Sequence, residues 1–309
     1  MKKAFTLIEL IFVIAIIGIL SVAGTDIFLK IYDTYFESRT QNEIQARTQL
    51  ALDQIANRLT YRIKPSVIVS WGNDNNYSSI ESADATTTGA NSYRLEWIGY
   101  DNDSFRGMAT SNADTYIQPG WSGFIDLDNS SGTSLHTPGG NTTSAEMIMS
   151  SLSDGDINFS NPNPSNSHVV MIFPDAPGSV NQYGWFESND TNLTHPVFRF
   201  DDQTLRPVAP SDFRGINNEV YENYQLAFSA YALEYNTTSR NLTLYYNYQP
   251  WNGETFRNGT STLFLENVSN FIFTQVGSIL KIQLCVNRSD TDAAATDEQY
   301  SLCKERAIF

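Results

Sequence analysis

The 309-residue chain is poor in the residues that small metal-binding or disulfide-stapled domains depend on, with two cysteines and three histidines. At this length a sizeable core can form, so disulfides are not needed in place of one. There is no Cys-x-x-Cys pair, no Gly-x-Ser-x-Gly elbow, no His-Glu-x-x-His and no phosphate-cradling glycine loop. His136, His168 and His195 are scattered without metal-ligand spacing, and catalysis is not expected. Positive charge is scarce as well. Nineteen Lys+Arg face 34 Asp+Glu, a net charge of −15, which leaves no broad basic surface for nucleic acid.

The charge is unevenly spread. Residues 1–64 carry eight basic and six acidic side chains, net +2, whereas residues 65–309 carry 11 and 28, net −17. Proline and glycine are both missing from Thr25 to Lys64, so nothing there interrupts a helix. Ile27, Ile31 and Tyr35, then Ile44, Ala51, Ile55 and Leu59, recur at helical spacing. Acids load the first half of this segment, Arg58, Arg62 and Lys64 load its end, and Pro65 is the expected stop.

Upstream, Phe5 to Gly24 is apolar except for a single charge, Glu9. As a helix this stretch spans roughly 30 Å, the thickness of a bilayer's hydrocarbon core. Lys2 and Lys3 set its N-terminal end in the cytoplasm. A secretory signal cut after Ser21-Val22-Ala23 and a simple one-pass anchor are two ordinary readings. Neither accounts for Glu9, because a carboxylate within a membrane helix costs about 2.5–3.5 kcal/mol at the centre and less near an end.

Ala4-Phe5-Thr6-Leu7-Ile8-Glu9-Leu10 followed by the unbroken apolar run resembles the class III signal of type IV pilins and type II secretion pseudopilins. The resemblance implies that a prepilin peptidase cuts between Ala4 and Phe5 and methylates the new amine of Phe5, and that the helix is retained. The family usually has Gly before the cut, where this chain has Ala4. The resemblance also gives Glu9 a partner, the terminal amine of Phe5 in a neighbouring subunit. Such a pair in a low-dielectric filament core sets register more than stability.

After Pro65 the pattern shifts to short apolar or alternating runs between Asn, Gly, Ser, Asp and Pro clusters. Strands are expected at Val67–Trp71, Tyr93–Tyr100, Val169–Phe173, Val197–Phe200, Leu226–Tyr235, Leu242–Tyr248, Phe271–Thr274 and Leu280–Val286. Leu242, Leu244, Tyr246 and Tyr248 are expected on one face, as are Leu280, Ile282, Leu284 and Val286. The stretch from Gly72 to Pro164 reads as long insertions and edge loops on one β domain, with a separate subdomain at 72–215 as the alternative. Aromatic residues read as core rather than as a carbohydrate platform.

The run Leu263 to Phe273, with Leu280-Lys281-Ile282-Gln283-Leu284 after a turn, is similar to the last strands of J-type minor pseudopilins and W-type minor pilins. The chain is about twice the usual size of a major pilin, which suits a tip or a rare initiating position. Cys285 and Cys303, 18 positions apart in a segment expected to be periplasmic, suggest a disulfide pinning the C-terminal tail; two free thiols are the alternative. Asp126 with Asp128 and Asp154 with Asp156 have the alternating spacing of calcium ligands but lack the glycine and distal glutamate of an EF-hand. No other cofactor is suggested. Asn76, Asn158, Asn189, Asn192 and Asn236 match Asp/Glu-x-Asn-x-Ser/Thr, which resembles an extended bacterial N-glycosylation acceptor.

The expected fold is therefore α+β: a leader at 1–4, a transmembrane or filament-core helix at 5–24, its amphipathic continuation at 25–64, and a β-rich head at 65–309 with long loops. The expected function is a minor pilin or pseudopilin that assembles into, initiates or caps a filament. Its partners would be other subunits, the prepilin peptidase, the inner-membrane assembly platform and the membrane, and not nucleic acid. A pilus-borne adhesin or DNA-uptake subunit, or a conventionally secreted enzyme or adhesin, are the alternatives.

Overall fold

A computed structural model of the chain describes residues 6–72, 76–83, 92–110, 117–163, 168–187, 190–208, 213, 220–287 and 301–309. In chain order its elements are helix α1 (Leu7–Thr60), strands β1 (Ile68–Trp71), β2 (Tyr77–Ser79) and β3 (Ser92–Gly99), then helix α2 (Asn102–Arg106). Strands β4 (Met108–Thr110), β5 (Ile117–Pro119), β6 (Asp126–Ser131) and β7 (Ser134–His136) lead to helix α3 (Thr142–Leu152). Then come β8 (Val170–Ile172), β9 (His195–Asp201), β10 (Thr204–Pro207), β11 (Gln225–Ala227), β12 (Ser229–Asn236) and β13 (Asn241–Tyr248). Strands β14 (Thr260–Leu265), β15 (Val268–Val276), β16 (Ile279–Asn287) and β17 (Ser301–Ile308) complete the chain. The expected α+β class holds: one long N-terminal helix, then antiparallel sheets.

Helix α1 is 54 residues, about 80 Å of continuous α-helix. Only its second half is docked. Ile44, Thr48, Ala51, Leu52, Ile55, Ala56 and Leu59 are buried, a stripe at spacings of three and four. Ile27, Ile31 and Tyr35, which share the sequence periodicity, are exposed. The helix stops at Thr60, four residues short of the expected end at Lys64. The chain leaves it to pair with the end of β3: Ile63 N–H donates to Ile98 O at 2.8 Å and Tyr100 N–H to Tyr61 O at 2.9 Å. Sheet pairing therefore ends the helix before Pro65, which lies in a following 3₁₀ turn.

The first sheet is antiparallel in the order β14-β13-β12-β3-β1-β2. Strand alternation gives it two buried faces. Val69, Leu95, Trp97, Leu233, Tyr235, Leu242 and Leu244 point to one side, where they meet α1 and the three-stranded sheet β15-β16-β17. Ile68, Ile98, Ala230, Ala232 and Tyr248 point to the other, against Val170, Ile172, Trp185 and Trp251. Leu280, Ile282, Leu284 and Val286 share the face turned to the first core, as the alternation predicts.

Tyr248 does not share a face with Leu242, Leu244 and Tyr246. The pairing shifts between Ala230 and Ala232, and Asn247 takes a left-handed φ of 60°. This extra residue turns Tyr248 to the opposite side. The expected single strand Leu226–Tyr235 is likewise two. It breaks at Phe228, where the chain passes from the second sheet to the first and the Phe228 carbonyl accepts from Gln249 Nε2 at 2.9 Å.

The span 72–215 holds strands and a helix beyond the loops read from Gly72 to Pro164. It supplies most of a second six-stranded sheet, in the order β11-β8-β9-β10-β7-β6, and helix α3. Trp121, Ile125, Leu135, Met149, Phe159 and Phe213 form a core of their own beside this sheet. The strands missed there are short and rich in Ser, Asn and Asp, such as Asp126–Ser131. Their alternation carries too few apolar residues to register as strand.

Candidate assembly site

From Leu7 to Phe36 the large apolar side chains of the stem helix are exposed, uncovered by any of the described residues. Leu7, Ile8, Leu10, Ile11, Phe12, Val13, Ile14, Ile16 and Ile17 are all exposed, and so are Ile27, Phe28, Ile31 and Tyr35 further along. Apolar side chains cover every face of the first turns, which is the pattern of a helix meant for lipid or for other helices and not for one side of a globular core. Among the described residues this is one helix long and apolar enough to cross a membrane.

Glu9 sits at the third position of that helix. Its Oε2 accepts the Thr6 backbone N–H at 2.9 Å and the Thr6 hydroxyl at 2.8 Å. The acid thus caps the helix end in the isolated subunit, where four backbone N–H groups otherwise lack partners and the dipole favours negative charge. Ala4 and Phe5 lie outside the described residues. Residues 1–25 match the family model for the prokaryotic N-terminal methylation motif.

The N-terminus is a prepilin-type motif, that of the type IV pilin and pseudopilin family. The match ends one residue beyond the apolar run, so it covers the start of the stem and leaves the head to its own geometry. No curated protein and no solved structure matches the chain. The motif implies processing by a prepilin peptidase and assembly with other pilin subunits.

The head holds the stem by its last strand. Cys285 on β16 and Cys303 on β17 lie opposite each other in the sheet and are joined by a disulfide. From β17, Lys304 Nζ donates to Gln49 Oε1 at 2.9 Å and Arg306 pairs with Asp53 at 3.0 Å, both on α1. These polar contacts are partly exposed; the buried stripe of α1 supplies most of the docking energy.

Behind the stem lies a buried polar network with no counterpart in the sequence expectations. Arg94 and Glu96, each 1% exposed, project from β3 on the face opposite Leu95 and Trp97. The Ser70 hydroxyl donates to Glu96 Oε1, Tyr248 OH donates to Oε2 at 2.9 Å, and Arg94 Nε donates to Ser70 Oγ at 2.9 Å. Arg94 also reaches Glu234 at 3.3 Å, and its guanidinium lies 4.3 Å over the Phe256 ring. Burial pushes the Glu96 carboxyl up, against the pull of Ser70, Arg94 and Tyr248; burial and Glu96 together push the Tyr248 phenol up. The alternation Arg94-Leu95-Glu96-Trp97 was the available signal, but it reads equally well as a solvated face. The network ties β1, β3, β12 and β13 in one register.

Asp101, at the end of β3, is 4% exposed and caps α2 by accepting Ser104 N–H at 3.1 Å. Burial pushes its carboxyl up to about 6, and the nearby Asp103 charge adds to the shift. A folded-state value above the ordinary 3.8 means the native protein binds the proton more tightly than the unfolded chain. The sign follows: stability rises as pH falls through about 6. Between neutral pH and about pH 5 the gain from this group is about 1.4 kcal/mol. Urea unfolding across that range should show it, and Asp101→Asn should flatten the slope.

The remaining sequence candidates are dispersed. The Asp126 carboxylate accepts from Asn129 Nδ2 at 2.7 Å, and Asp156 accepts from Asn247 Nδ2 at 3.0 Å. Asp128 lies two residues from Asp126 on β6, and Asp154 occupies a turn after α3 with φ 55°. Among the described residues no three His, Cys, Asp or Glu side chains converge as metal ligands would. His136 and His195 lie on β7 and β9, and His195 packs 5.2 Å from the Phe173 ring. Asn76, Asn158, Asn192 and Asn236 are in turns or at strand ends, and Asn189 is outside the described residues.

Proposed function

We propose that the chain is a minor pilin or pseudopilin that initiates, caps or decorates a filament, with residues 5–24 held in the inner membrane until extraction. The N-terminus would face the cytoplasm and the head the periplasm or cell exterior. The observation that carries this reading is the bare stem: a helix apolar all round, uncovered from Leu7 to Phe36 and about 45 Å long, with one acid near its start. A head this large is easier to place at a tip than at every position along a thin shaft. The role is structural and non-enzymatic.

In assembly the apolar stem exchanges lipid for neighbouring stems. Glu9 would then share its carboxylate between Thr6 of its own chain and the processed amine of Phe5 from the next subunit. Each unpaired charge is costly in that environment, so only the register that joins them is tolerated. N-terminal sequencing and intact mass of the mature protein are expected to show a methylated Phe5 as first residue; Gly24 in that position would overturn the reading. Glu9→Ala is expected to leave the protein in the membrane with loss of incorporation into sheared fibres.

A further inference from the structure

Twelve Asn-x-Ser/Thr sequons without Pro at x occur in the chain, all in residues 65–309 and none in residues 1–64. Five of them, at Asn76, Asn158, Asn189, Asn192 and Asn236, have an acid two residues before the Asn. Acids are 34 of the 309 residues, so about one such coincidence is expected among twelve sequons. The excess falls on the residue that distinguishes the extended acceptor from the plain one.

An acceptor has to offer its acid, its Asn and its hydroxyl residue together to a transferring enzyme. The segment after α3 does so. Asp156, Asn158 and Ser160 are exposed, whereas Ile157 and Phe159 between them are 2% and 1% exposed and anchor the segment in the second core. Asn158 Oδ1 accepts the Ser160 backbone N–H at 3.0 Å, so the carboxamide oxygen is turned to the chain and its nitrogen away from it. The Ser160 hydroxyl donates to Glu146 Oε2 at 2.8 Å, an exposed bond of small net worth that is open to exchange. The other sites are less well presented. At Asn192 the hydroxyl residue Thr194 is 2% exposed, and at Asn236 the acid Glu234 is 18% exposed and pairs with Arg94 at 3.3 Å. At Asn76 the acid Asp74 lies outside the described residues.

We propose that Asn158 is an N-glycosylation site that receives an oligosaccharide from a polyprenyl diphosphate carrier. The amide nitrogen of Asn158 attacks the anomeric carbon of the first sugar and the bond from that carbon to the diphosphate oxygen breaks. The amide proton passes to a carboxylate of the transferring enzyme and the lipid diphosphate leaves. A bulky, hydrophilic chain is thereby added to the head, while the stem that packs on neighbours stays bare. The proposal rests on the head lying outside the cytoplasm, as proposed above. Glycopeptide mass spectrometry of the protein purified from its own cells tests it, and an oligosaccharide on the Asn158 peptide is expected. Asp156→Ala keeps Asn158 and Ser160 and should lower the occupied fraction about tenfold, as loss of one charge-assisted contact to the enzyme does. Asp156→Glu should restore it. Asn129 is an internal control, an exposed sequon with Leu127 in the place of the acid, and should be bare. A bare Asn158, full occupancy in a normally folded Asp156→Ala variant, or equal occupancy at Asn129 overturns the proposal. Methylation of Phe5 is read from the same digest, so failure here is separable from failure of the filament reading.

Discussion

Arg94→Ala is expected to destabilise the head by about 3–5 kcal/mol, read as a lowered urea midpoint followed by tryptophan fluorescence. The reason is what the change leaves behind. Glu96 is 1% exposed and would keep only the Ser70 and Tyr248 hydroxyls, without the cation 3.6 Å away that balances its charge. The void beside Phe256 adds a cavity cost. Glu96→Gln should cost less, because the amide oxygen can still accept from Ser70 while its NH₂ donates to the Tyr248 hydroxyl oxygen. A paired replacement, Arg94→Met with Glu96→Leu, should recover much of the loss, since well-packed apolar groups can match a buried ion pair. If Arg94→Ala proved as mild as a surface change, below about 1 kcal/mol, the network would carry no structural weight.

Reduction of the Cys285–Cys303 disulfide is expected to cost about 3 kcal/mol, from the loop entropy released in the unfolded chain. The effect should be local before it is global. Among the described residues strand β17 pairs with β16 alone; it reaches the stem through Lys304 and Arg306, buries Ile308 in the first core and touches β15 through Ser301 and Ser269. Once untied, it is the element with least to hold it. Protease treatment with reductant should therefore trim residues 301–309 while the first sheet survives, and the Gln49–Asp53 face of α1 should gain hydrogen exchange. The double variant Cys285→Ala, Cys303→Ala should behave the same way without reductant. Equal midpoints in oxidised and reduced protein would count against the strand as a clasp.

The two predictions concern features of different legibility. The cysteine pairing could be read from two residues, because a chain with only two cysteines has one possible intramolecular bridge. The Arg94–Glu96 network could not, because a charged residue at every second strand position reads the same whether that face meets water or a second layer. Deciding between these requires knowing that Trp185, Trp251 and Phe256 return from distant parts of the chain to cover it.

What the residues alone settle lies where interactions are local or where solvent is uniform. The prepilin-type motif, the unbroken helix and strands β15 and β16 of the last sheet follow from composition, spacing and period. A helix needs only neighbours three and four apart, and a membrane-facing helix meets one environment on all sides. Tertiary structure decided where the stem stops being free and becomes docked, at Ile44 and not at Ile27, although both belong to apolar runs at helical spacing. It also ended the helix at Thr60 and turned Tyr248 across the sheet. Each outcome depends on long-range strand pairing, which competes with local preference and wins because it satisfies backbone groups and buries side chains together.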